Sequence, residues 1–189
     1  MKRLCLFAIP VAIAAASIAG CFPALEKDPD FPKYFTKKVP GNTVQARLEG
    51  DRLYGADVEV KKDAGTYRGH SGAGVVDLRA TTSAEGTKID GDSGNGRTEL
   101  YVTEVEGGIS AKGMIGGTVS HFDLTPSSFT GTVGSCTYDL RFSEQSRPYY
   151  EGNSRCTGGG GGTRVALPEK FAELPLDEKA VFVAVFLGQ

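Results

Sequence analysis

From Thr43 to Phe142 apolar and polar residues alternate with a period of two, not 3.6. Val44, Ala46 and Leu48 interleave with Thr43, Gln45 and Arg47; Tyr54, Ala56, Val58 and Val60 interleave with Gly55, Asp57 and Glu59. A strand with one face in a core reads this way. Val76, Leu78 and Ala80 repeat the pattern, and Leu100–Val105 is rich in β-branched and aromatic residues. Glu106-Gly107-Gly108 is a hairpin turn into Ile109, Ala111 and Ile115. The clearest alternation is Cys136, Tyr138, Leu140 and Phe142 against Thr137, Asp139 and Arg141, which turns Cys136 inward. Short strands with turn signals at this spacing predict an all-β fold, an antiparallel barrel or sandwich of about 8–10 short strands.

The pattern changes at both ends. Residues 22–40 carry Pro23, Pro29, Pro32 and Pro40 among charges, which predicts a semi-extended tether. Tyr34 and Phe35 allow its second half to pack on the domain. Gly158–Gly162 are consecutive glycines and predict a flexible hinge; a phosphate loop would need Gly-Lys-Ser/Thr next, and Thr163-Arg164-Val165 follows. Beyond it, Leu167–Phe171 starts a helical turn that Pro175 ends. Asp177 then N-caps a short helix from Glu178 to Leu187, with Gly188 as its stop. This C-terminal helix is apolar on all sides and too short to span a bilayer. It is expected to pack on one end of the β-domain, with Phe182 and Phe186 as partner-binding residues if it docks on something else.

The first residues follow another logic. Lys2 and Arg3 precede an apolar run, Leu4–Ala16, and small residues follow. That order is a secretory signal. Ile18-Ala19-Gly20-Cys21 resembles the lipobox of bacterial lipoproteins. The resemblance implies cleavage before Cys21, acyl chains on Cys21 (palmitate among them), and a lipid anchor in a membrane. Phe22, in place of an inner-membrane-retaining Asp, points to the outer membrane, with the domain facing the periplasm or the cell surface. The expected organisation is a signal peptide at 1–20, lipidated cysteine and tether at 21–40, β-domain at 41–157, and hinge plus helix at 158–189. The strand Cys136–Phe142, the second cysteine, the glycine run and the closing Leu-Pro-x-x-Phe segment also resemble small glycine-rich lipoproteins of myxobacteria, a group that implies no chemistry.

Composition narrows the function. The chain has 21 Lys+Arg and 23 Asp+Glu, and Lys2 and Arg3 leave with the leader. A mildly acidic mature domain argues against nucleic acid as partner. Of the four cysteines, Cys5 leaves with the leader and Cys21 carries lipid, so Cys136 and Cys156 are left to pair in an oxidising compartment.

Three constellations approach known chemistry and fall short of it. Gly69-His70-Ser71-Gly72-Ala73 is one residue from the nucleophile elbow, but that motif needs a strand-to-helix turn, and no helix precedes residue 167. Asp90-Gly91-Asp92-Ser93-Gly94 begins like a calcium loop, but Gly94 and Tyr101 stand where ligands belong. His70 and His121, with Asp77 and Asp123, have no metal-ligand spacing. The expectation is therefore no enzyme, no cofactor and no metal. The sequence reads as a lipoprotein whose β-domain binds another envelope component, a protein partner first, as structural subunit or inhibitor. The alternative is a calycin-like carrier of a lipid or other hydrophobic ligand, with Tyr101, Phe129 and Tyr138 lining its cavity.

Overall fold

A computed structural model describes residues 33–188 apart from 73, 95, 144 and 146–148. The signal peptide, Cys21 and most of the tether lie outside the described residues. Among the described residues the fold is all-β with one α-helix, but the strands number fourteen. In chain order they are β1 (Tyr34–Val39), β2 (Asn42–Glu49), β3 (Arg52–Gly55), β4 (Val58–Asp63), β5 (Thr66–Ser71), β6 (Gly74–Ser83), β7 (Gly86–Gly94), β8 (Gly96–Val105), β9 (Gly108–Ile115), β10 (Thr118–Leu124), β11 (Ser128–Val133), β12 (Cys136–Phe142), β13 (Tyr150–Cys156) and β14 (Gly159–Ala166). Each pairs antiparallel with its chain neighbours, and β14 pairs with β1 to close a barrel. A 3-10 turn at Glu169–Glu173 leads into α1 (Leu176–Leu187).

The closed wall explains the helix. An eight-stranded barrel is narrow enough for wall side chains to fill it. Fourteen strands enclose more space than they can fill, and α1 occupies it. Phe182 and Phe186 pack on Phe35 of β1, Phe182 also on Tyr67 of β5, while the Tyr138 hydroxyl of β12 donates to the Leu187 carbonyl. The helix thus touches opposite sides of the wall, and residues 180–187 are all buried. A helix apolar all round has to be enclosed all round. It does not cap one end of the domain; it plugs the lumen. It also starts earlier than the N-cap reading of Asp177 implies: Pro175 precedes the first turn, and Asp177 turns its side chain to the wall.

Six odd-numbered strands carry an inward glycine: Gly55, Gly69, Gly91, Gly113, Gly131 and Gly152. At Gly69, with φ of 154°, an added β-carbon would collide with the carbonyl oxygen of Glu59 on the next strand. Glycine at these places lets strands bend sharply, as closure requires.

The outer face is polar. Arg52–Glu59, Arg68–Asp77, Lys88–Glu99, Asp90–Arg97 and Glu151–Arg164 pair across neighbouring strands in water. Tyr54, grouped by alternation with the inward Val58 and Val60, instead faces out; Leu53 takes the inward place, and Ala56-Asp57 is a bend. β1 and the glycine run also depart from expectation. Tyr34–Val39 is a wall strand, not tether, and Gly159–Gly162 open β14, not a hinge.

Candidate functional site

The two ends of the barrel differ. β1 starts and α1 enters at one end; the helix C-terminus points to the other. At the entry end, Lys62 of β4, on the inward parity of Val58 and Val60, reaches Asp177 at 2.9 Å and Glu178 at 2.8 Å. Burial would lower the pKa of this ammonium, but the bonds to Glu178 and Asp177 outweigh it and raise the value. The same bonds, with one from Tyr67, hold Asp177 below the ordinary carboxylate value although burial pushes it up.

At the far end the seam between β1 and β14 is short. Its register covers Thr36–Ala166, Lys37–Val165 and Lys38–Arg164, while on its other side β14 pairs with β13 back to Gly159. The first half of β14 therefore has no ladder partner on the β1 side. A cleft of about 510 Å³ opens there, floored by Phe186 and walled by Val39, Val44, Val58, Cys156 and the bare backbone of Gly158–Gly161. Small-molecule sites begin near ~300 Å³. The glycines are not all required by the backbone. Gly161 has an ordinary φ, and a β-carbon there would meet only Pro40, at contact distance.

Lys37 lies in this cleft. Phe35 and Val39 flank it on the inward parity of β1, so its side chain also enters the barrel. Its Nζ stands 3.9 Å from Cys136 Sγ and 5.5 Å from the centre of the Tyr138 ring. Burial lowers its pKa. A second crevice, about 430 Å³, lies across the last helical turn beside Ser71, Ser93 and Ile115. Two of its hydroxyls are engaged: Ser71 donates to the Val185 carbonyl at 3.0 Å, and Ser93 and Thr98 share a bond of 2.5 Å.

The residues singled out by sequence distribute as follows. Cys136 and Cys156 are bonded and face each other across β12 and β13. Phe129 and Tyr138 stack at 4.9 Å inside the barrel. Tyr101 is on the outer face and donates to the Glu85 carbonyl at 2.6 Å, so the three do not line one cavity. Phe182 and Phe186 are buried in the plug; Phe186 borders the cleft, and Phe182 does not. Ser71 ends β5 at the hairpin to β6 with its hydroxyl on the helix, while His70 and His121 are exposed on the outside. Asp90 faces Arg97 across a strand pair, not around a loop. Among the described residues no three His, Cys, Asp or Glu gather to hold a metal.

Sequence reasoning passed over Lys37 and Lys62. The signal was present in part: both share the parity of apolar strand neighbours, but Lys37 falls in the proline-rich stretch read as tether, and Lys62 lies beyond Val60, the last apolar residue of its strand. Compared with protein-family models, curated proteins and solved structures, the chain matches none.

Proposed function

We propose that this chain is a non-enzymatic lipoprotein of the outer membrane whose barrel binds another envelope component in the terminal cleft. The observation that carries the reading is the position of the cleft at the end opposite the start of β1. An acylated Cys21 would lie only 13 residues before Tyr34, within at most roughly 45 Å. Attachment at the start of β1 favours the entry end lying nearest the bilayer, with the cleft opening away from it, toward the periplasm or the medium. The charged outer wall supports an aqueous place for the barrel, because a lipid-facing wall carries an apolar band. The engagement of Ser71 and the outward histidines support binding over hydrolysis.

A carrier is the second reading, favoured by the apolar walls of the cleft. Its ligand would sit at the mouth and not in the lumen, which α1 fills.

The test is native mass spectrometry of the full chain released gently from its own envelope, beside Gly161→Phe, which fills the cleft. A bound species present in the parent and absent from the variant is expected. An adduct retained by Gly161→Phe would place binding elsewhere. In parallel, Cys21→Ala should abolish palmitate labelling and release the protein from the membrane fraction; unchanged labelling would refute the anchor.

A further inference from the structure

The cleft has an ammonium at its base and no described carboxylate paired with it. Lys62, the other lysine of the same inward parity, is neutralised by two carboxylates. Lys37 has for neighbours a disulfide sulfur and the face of Tyr138, and the Tyr138 hydroxyl is already given to Leu187. Asp57 stands on the exposed rim, and no ion pair joins it to Lys37. Partly withdrawing an ammonium from water without an anion, as at the half-buried Lys37, costs free energy that the fold has no need to spend. Methionine at this position would pack as well.

The surroundings define what would complete it. Val44, Val58 and Phe186 are apolar, which suits a hydrocarbon body. The edge of β14 from Gly159 to Gly162 lacks ladder partners on this side, so its backbone offers hydrogen bonds beside the ammonium. One lysine and no arginine lines the cleft, a set that matches a single negative charge better than a phosphate, which gathers several donors.

Resting on the cleft reading above, we infer that the ligand is a small organic acid with an apolar body, its carboxylate on Lys37 Nζ and its hydrocarbon against Val44, Val58 and Phe186. Lys37 sets the specificity for acid over neutral ligand.

The experiment is calorimetric titration of the full chain in lipid nanodiscs, with empty discs subtracted. The probes are 4-phenylbutyrate and its neutral analogue 4-phenylbutanol, and the variants are Lys37→Met and Gly161→Phe. The acid is expected to bind at least about tenfold more tightly than the alcohol, roughly the 1.4 kcal/mol of one charge-assisted contact. Lys37→Met should remove that preference and leave the alcohol unchanged; Lys37→Gln replaces it where the Met variant does not accumulate. Gly161→Phe should lose both probes. Equal binding of acid and alcohol, both lost in Gly161→Phe, would overturn the acid specificity and leave the cleft as a binding site. Acid binding that survives Gly161→Phe would overturn both. No binding of either probe to the parent overturns the acid inference, while the native adduct test still decides the cleft.

Discussion

The phenol of Tyr67 donates a 2.6 Å hydrogen bond to the carboxylate of Asp177, tying the wall to the first turn of the plug. Lys62 binds the same carboxylate from the next strand. The plug is held at its entry by charge and along its length by apolar contact. Burial and the Asp177 carboxylate both raise the pKa of the Tyr67 phenol, so it remains a donor across the range in which the protein is handled. Tyr67→Phe keeps the packing on Phe182 and removes only this bond. The expected loss is about 1.5–3 kcal/mol, the range for a hydrogen bond to a charged group. Urea unfolding measures it; an unchanged midpoint would mean that Lys62 alone positions Asp177.

The same cluster sets an acid limit. The Asp177 pKa is lower folded than unfolded, so its stabilisation is present above the unfolded value and is lost as pH falls through the folded one. Lys62 is raised, so its share is present below its unfolded value and lost as pH rises through the folded one. The melting temperature of the parent should exceed that of Asp177→Asn at neutral pH. The difference should close below about pH 4. A constant difference down to strongly acid pH would show that the carboxylate charge is not what Asp177 contributes.

Glycines of the wall should respond in two opposite ways. Gly69→Ala places a β-carbon against the Glu59 carbonyl at a backbone angle that other residues rarely adopt, and should cost about 1–3 kcal/mol. Gly162 has an ordinary φ and open space around its missing β-carbon. Gly162→Ala should be neutral or stabilise by about 0.4–1 kcal/mol through the unfolded chain. Equal losses at both sites would contradict the role of the inward glycines in bending the strands.

The inward glycines also explain how much of the fold could be read in advance. Alternation is plain in β2, β6 and β12, where Ala46, Leu78 and Leu140 face the lumen, and there the strands and the inward turn of Cys136 were legible. In β5, β7 and β13 the inward places fall to Gly69 and Ser71, Gly91 and Ser93, and Gly152 and Ser154. β5 and β7 lie beside the plug and their glycine and serine leave it room, so their apolar signal fades, and the strand count falls short of fourteen. β1 was hidden for a different reason: it falls in the proline-rich stretch read as tether, and the adjacent Lys37 and Lys38 interrupt its alternation. The cleft depends on where the β1–β14 ladder stops, a non-local fact with no trace in composition.

The Cys136–Cys156 bond joins β12 to β13 and contributes a wall atom to the cleft. Its loop spans 20 positions. By the chain-entropy model the bond contributes about 3 kcal/mol. The double variant Cys136→Ala/Cys156→Ala should unfold at correspondingly lower urea. Because the ladder from Tyr138–Ser154 to Phe142–Tyr150 is independent of the sulfurs, far-UV circular dichroism before the transition should not change. Loss of strand signal in native buffer would mean that the bond is needed for folding itself.

Lys37 should behave as a site maintained against stability. Burial lowers its pKa, so the unfolded chain binds its proton more readily than the folded one. The penalty is present at neutral pH and is relieved as pH rises through the lowered folded value toward the unfolded one. The groups facing this ammonium do not reverse the sign. The Tyr138 ring and the Cys136 sulfur are uncharged, Phe186 of α1 is apolar, and Asp57 is exposed on the rim. Lys37→Met should therefore raise the melting temperature at pH 7, and the gain should shrink in alkaline buffer as the parent loses its proton. Such a gain without loss of fold would mark Lys37 as kept for binding, in line with the trade between stability and function at built sites. A lower melting temperature would show instead that the ammonium holds the last turn of the plug, and its place in ligand recognition would then need evidence from binding alone.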